Sequence, residues 1–223
     1  MRFVFYVILL GTFGITLGLL ADLVPIHAET IDIKPVAMEV SENETGNSNQ
    51  FKELVGTGFS LSYPSQWYVE KSSMTGPEIA ESQDLYTISG DVLNEGLVIF
   101  GLNRLSLSEL ESVGIKENTT QANIDSNLNQ IFPLMIEMIS SGITQGRPAD
   151  YEEPEFDRYT VDGHKVGSVV FNINYGNFTT KALAIGTIIG NRGIVLAYAA
   201  LPAVFEEKLP IVEKMISSIK IEA

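Results

Sequence analysis

The stretch Lys165–Ala200, "KVGSVVFNINYGNFTTKALAIGTIIGNRGIVLAYAA", decides the fold. It holds three apolar runs, separated by Gly176-Asn177 and by Gly190-Asn191-Arg192-Gly193. Connections this short join only antiparallel neighbours. Ala182–Ile189 and Ile194–Tyr198 are apolar at consecutive positions, which predicts central strands covered on both faces. Just upstream, "FDRYTV" and the turn Asp162-Gly163 add another strand, making a four-stranded meander.

Working outward, Pro202–Ser218 reads as a closing helix. Its stripe is Phe205, Leu209, Val212, Ile216 and Ile219, and Pro210 fits the first turn of its second half. Asn118–Ile143 reads as a first long helix capped by Thr119 or Thr120. Ile124, Leu128, Ile131, Met135 and Ile139 form its stripe, and Pro133 should kink it. Gly96–Arg104 is a strand, and "SLSEL" offers serine caps for a short helix. "GFSLSYPSQWYVE" alternates Phe59, Leu61 and Tyr63, turns at Pro64-Ser65, and resumes with Trp67 and Val69. That predicts a hairpin with Trp67 as its core anchor. The fold class is therefore α+β: a central antiparallel sheet flanked by helices on both faces, preceded by an N-terminal hydrophobic helix. There is no internal repeat.

At the N-terminus, Arg2 precedes an uncharged run from Phe3 to Ala21. A positive end before an apolar stretch is the pattern of a secretory signal, and this run is also long enough to span a bilayer. Residues 1–28 are thus a signal peptide or an N-terminal membrane anchor. Residues 29–50, rich in Glu, Asn, Ser and Thr, read as a polar linker, and 51–223 as the globular domain. Either option places the domain outside the cytoplasm, secreted or anchored to the outer face of the cytoplasmic membrane.

The chain has 14 basic and 28 acidic residues, and removing Arg2 and Asp22 with the first 28 residues leaves the net charge at −14. Such a field repels phosphate backbones, and no basic cluster overrides it, so nucleic-acid binding is disfavoured. With no cysteine, disulfides, lipoprotein-type acylation and thiolate metal sites are excluded.

Three stretches together carry a family resemblance: "GFSLSYPSQWYVE", "VDGHKVGSVVF" and "AVFEEKLPIVEKMISSIKI". In order, across residues 51–223, they resemble the PsbP family, whose namesake is an extrinsic photosystem II protein. The resemblance implies an antiparallel sheet between helical layers, and an extracytoplasmic accessory protein that docks on a membrane complex or stabilises its assembly. Trp67, Leu209 and Pro210 carry over as fold markers. The lysine-rich N-terminal docking segment of photosystem members has no counterpart, since residues 29–50 contain only Lys34 and several acids.

Candidate chemistry is sparse. His164, the one histidine after residue 28, sits beside a hairpin turn and reads as solvated. The acidic run from Asp150 to Asp157, with Glu152, Glu153 and Glu155, reads as a solvated connection that could hold calcium or manganese weakly. No other cofactor is implied. Ser217 and Lys220 form a Ser-x-x-Lys pattern without its companion motifs. Trp67 and Tyr63 read as core residues. Asn43, Asn118 and Asn177 lie in N-glycosylation sequons. The expected function is a non-enzymatic binding or assembly module, with a membrane protein complex as partner. A soluble carrier of a small ligand and a carboxylate-dependent envelope hydrolase are the alternatives.

Overall fold

The computed structural model describes residues 50–71, 83–105, 107–112, 114–116, 119–129, 132, 149–151, 155–175 and 178–222. The N-terminal apolar run, the polar linker up to residue 49, Pro133, Ile131, Met135, Ile139, the Gly176-Asn177 loop and all three sequon asparagines lie outside the described residues. Among the described residues, no helix is long and apolar enough to cross a membrane.

Eleven strands are described. They are β1 (Phe51–Gly56), β2 (Phe59–Pro64), β3 (Tyr68–Lys71), β4 (Gln83–Ser89), β5 (Leu97–Arg104), β6 (Ala149–Tyr151), β7 (Glu155–Val161), β8 (His164–Tyr175), β9 (Phe178–Ile189), β10 (Arg192–Ala200) and β11 (Lys220–Ile221). The helices are α1 (Val92–Glu95), α2 (Leu107–Ser112), α3 (121–129) and α4 (Pro202–Ser218). Eight strands form one antiparallel sheet in the order β3-β4-β5-β10-β9-β8-β6, with β7 also paired to β8. The β7-β8-β9-β10 meander expected from sequence is its heart.

Alternation along the central strands sends side chains into two separate cores. Leu97, Ile99, Val169, Phe171, Ala182, Ala184, Val195 and Ala197 face one side, where Leu110, Ile115, Ile124, Leu128 and Phe132 cover them. Val98, Phe100, Leu183, Ile185, Leu196 and Tyr198 face the other, under Phe205, Val212, Met215 and Ile216 of α4. Burying both faces explains why the middles of these strands are apolar at successive positions. Gly167 in β8 is required by the first layer, because a Cβ there would lie 2.2 Å from Cγ of Phe132.

The second face departs from expectation. Besides α4 it carries a small sheet, β1-β2-β11, whose Phe59 and Leu61 are fully buried. "GFSLSYPSQWYVE" is therefore not a hairpin. β2 pairs with β1, β3 pairs with β4, and the Pro64–Trp67 turn, closed by Trp67 N–H to the Pro64 carbonyl at 2.9 Å, carries the chain from one sheet to the other. The physical reason is that alternation specifies a strand but not its partner. Trp67 is buried at 4 % exposure and packs in the core beneath the small sheet. Phe59 meets Tyr86 and Phe100 there, with ring centroids 5.4 and 4.7 Å apart.

Thr120 caps α3, its hydroxyl accepting from Asn123 N–H at 3.4 Å, while the Thr119 hydroxyl accepts from Lys116 N–H. α4 starts at Pro202 and runs unbroken through Pro210. Pro210 lies at an exposed position of the helix, where it withdraws the N–H donor that the Glu206 carbonyl would otherwise have. Met215, absent from the expected stripe, is fully buried.

Candidate functional site

The acidic run is not one solvated connection. Asp150 belongs to β6, opposite Asn172, and Glu155 opens β7, opposite Ser168; Asp157 lies within β7, at a register shift between Phe156 and Tyr159. Glu152 and Glu153 lie outside the described residues. Short edge strands with exposed acids carry too little alternation to be recognised from sequence, and such charges and bulges protect an edge from unwanted pairing. Glu155 is already engaged, its Oε2 accepting from Arg158 Nη1 at 3.2 Å. Arg158 Nη2 lies 3.8 Å from Glu213 Oε1 on α4, and the Tyr159 hydroxyl donates to the same oxygen at 3.3 Å. Burial pushes the Tyr159 hydroxyl up to about 12; Glu213 adds to that rise and Arg158 opposes it. For Arg158, burial works against the charge, but Tyr159, Glu155 and Glu213 outweigh it and raise its pKa. This cluster fastens the edge strand to the helix. Among the described residues, no three histidines or carboxylates converge as a metal set.

His164 is not simply solvated. Its Nδ1 lies 3.1 Å from Asp125 Oδ2, and the two side chains are 28 % and 24 % exposed. The other Asp125 oxygen accepts from Gln121 Nε2 at 2.8 Å, and that nitrogen also donates to the Ile188 carbonyl at 2.8 Å. Gln121 Oε1 accepts from Gly190 N–H at 2.7 Å. Helix α3 is thus stitched at one end to the β7–β8 and β9–β10 turns. Asp125 and His164 are 39 residues apart, and no local pattern announces their meeting. A carboxylate on Nδ1 fixes the ring's orientation, which serves either a base or a clamp. Here the partners on both sides are structural elements, so the arrangement acts as a clamp.

Ser217 and Lys220 diverge. The Ser217 hydroxyl donates to the Glu213 carbonyl at 2.8 Å, while Lys220 Nζ sits 3.4 Å from Asp162 Oδ1. Their spacing therefore does not build a serine–lysine dyad. Tyr63 is half-buried against the second core. The Trp67 indole N–H is buried with no hydrogen-bond partner among the described residues.

Two further side chains close the small sheet, and neither was visible in the sequence. Arg192 Nη1 donates to the Gly58 carbonyl at 2.6 Å, and the Ser218 hydroxyl accepts from Ser62 N–H at 2.7 Å. Ser218 stands where β11 no longer reaches, so it satisfies a strand donor that would otherwise be left open.

No protein-family model and no curated protein matches the chain. Solved structures do. The solution structure of cyanobacterial PsbP from Synechocystis sp. PCC 6803 superposes with a TM-score of 0.51 at 14% identity, covering 82% of this chain and 98% of that one. LpqN, described as involved in cell envelope biogenesis of Mycobacterium tuberculosis, gives a TM-score of 0.49 at 10% identity, covering 78% and 91%. The chain has the PsbP fold: a large antiparallel sheet with helical cover.

Proposed function

We infer that this chain is an extracytoplasmic accessory protein, a non-catalytic module that docks on or helps assemble a membrane protein complex. The observation that carries the reading is the PsbP fold over 82% of the chain. The Arg2-led uncharged run supports placement beyond a membrane. The architecture supports a docking role as well. The described residues of both helix stripes pack against the sheet, which leaves polar edges and loops as the surface a partner meets.

The test is affinity purification from detergent-solubilised membranes, using a C-terminal tag on a flexible linker. Recovery of a stoichiometric membrane complex is the expected outcome. A chain that is monomeric in such extracts, or that is shielded from external protease like a cytosolic marker, would end the reading.

A further inference from the structure

The two ends of the large sheet differ in what reaches them. Gln50, the first described residue, has its carbonyl bonded by Ser65 N–H at 2.9 Å. The chain therefore enters the domain beside the Pro64–Trp67 turn. Tyr68 follows at once and is 79% exposed. The ladder places Tyr68 opposite Ser89, Ser89 opposite Leu97, and Leu97 opposite Ala199. Two residues beyond Ala199 is Leu201, 40% exposed. Tyr68 and Leu201 thus share the end of the sheet where residues 1–49 lead in. Three strand spacings separate their rows, about 14 Å.

We propose that this end faces the bilayer, with Tyr68 and Leu201 resting in the headgroup zone of a membrane of uncharged net headgroup. The proposal rests on the membrane-bound reading of the N-terminus and adds an orientation to it. Tyrosine suits that zone because its ring is apolar and its hydroxyl stays wet. Asp91 and Glu95 lie at the same end, and the chain carries −14 overall, so zwitterionic lipid fits where anionic lipid does not. Two side chains bind a surface weakly by themselves. Linkage to an anchored segment raises the effective concentration to the order of millimolar, enough to hold a weak contact.

The absence of cysteine makes the test direct. Full-length Tyr68→Cys, Leu201→Cys and Asn191→Cys chains are nitroxide-labelled and reconstituted into phosphatidylcholine vesicles. Asn191 is exposed at the opposite end, eight residues along β10 from Ala199, or about 27 Å. Labels at 68 and 201 should collide more with oxygen and less with a water-soluble nickel chelate than the label at 191. All three variants lie at exposed positions, and wild-type Trp67, the sole tryptophan, gives a label-free check. Its fluorescence should stay at the wild-type emission maximum in each variant, which shows that the labelled chains keep their core. Equal, fully aqueous behaviour at all three labels on vesicle-bound chain overturns the orientation and leaves the anchor reading standing. A label at 68 shielded from both reagents only in native membranes assigns that end to a protein, and also overturns it. Failure of the full chain to stay with vesicles sinks both.

Discussion

Arg192 reaches from the start of β10 to the carbonyl of Gly58, a contact 134 residues long in sequence and 2.6 Å in space. It ties the large sheet to the small one at the far end from Gln50. Gly58 has φ +79° there, and a Cβ on it would lie 2.1 Å from Arg192 Nη1. Arg192→Ala should lower stability by about 1.5–3 kcal/mol, the scale for a hydrogen bond to a charged donor. Gly58→Ala should also be destabilising, through backbone strain added to the clash. Urea unfolding of both variants tests this. Wild-type midpoints would mean the arginine is an ornament of the surface.

Trp67 gives a paired prediction. Trp67→Ala should cost about 3–5 kcal/mol, the usual penalty for emptying a buried aromatic site. Trp67→Phe should cost much less than its lost volume suggests, because it also removes an indole N–H left without a partner, a burden of about 1–3 kcal/mol. Chemical denaturation that ranks Phe as low as Ala would show that the N–H is satisfied after all.

The clamp on α3 should be local in effect. Asp125→Ala removes the acceptor for both His164 and Gln121, at a cost of about 0.5–1.5 kcal/mol for partly exposed groups. Amide exchange should speed up across residues 121–129 while β9 and β10 stay protected. Uniform acceleration through the whole sheet would contradict the assignment.

Alkaline pH offers a fourth handle. Tyr159 is raised to about 12, chiefly by burial, against about 10 in the unfolded chain. Between those values the unfolded state has lost its proton and the native state has not, so stability falls as pH rises from about 10 to 12. Tyr198, raised in the same direction by burial and by Glu207 and Glu95, adds to this slope. Tyr159→Phe should flatten the decline in unfolding midpoint over that window. An unchanged slope would place the proton released on unfolding elsewhere.

Docking through polar edges implies salt sensitivity. Changing Glu152, Glu153 and Glu155 together to Gln should weaken a membrane partner's hold, and raised salt should do the same, since exposed charges are screened beyond about 8 Å at physiological ionic strength. Because Glu155 also pairs with Arg158 at exposed positions, only a slight stability change is expected. Co-purification unaffected by either treatment would move the docking surface to another edge.

What was legible in the sequence follows from how far each signal reaches. The meander could be read because its turns are short and its strands apolar on both sides, so partner and burial were local facts. Thr120 was a legible cap for the same reason. β4, β6 and β11 were not, being short or half-polar. β2 was recognised as a strand but given the wrong partner, because its mates are β1 before it and β11 at the other end of the domain. The site residues failed more completely. His164 was visible, but Asp125 and Gln121 looked like ordinary polar positions on a helix, and only the folded chain brings them to the turn.

The pairing of Ser60 with Lys220 has a temporal meaning as well as a spatial one. Synthesis delivers β2 well before β11, so the small sheet stays one strand short until β11 has been made and has emerged. Until then Phe59, Leu61 and Trp67 lack the final turn of α4 that seals them, and Ser62 N–H waits for Ser218. Folding of this domain therefore cannot finish while β11 is still inside a ribosome or a translocation channel. A domain in transit stays open until the strand that closes it has come through.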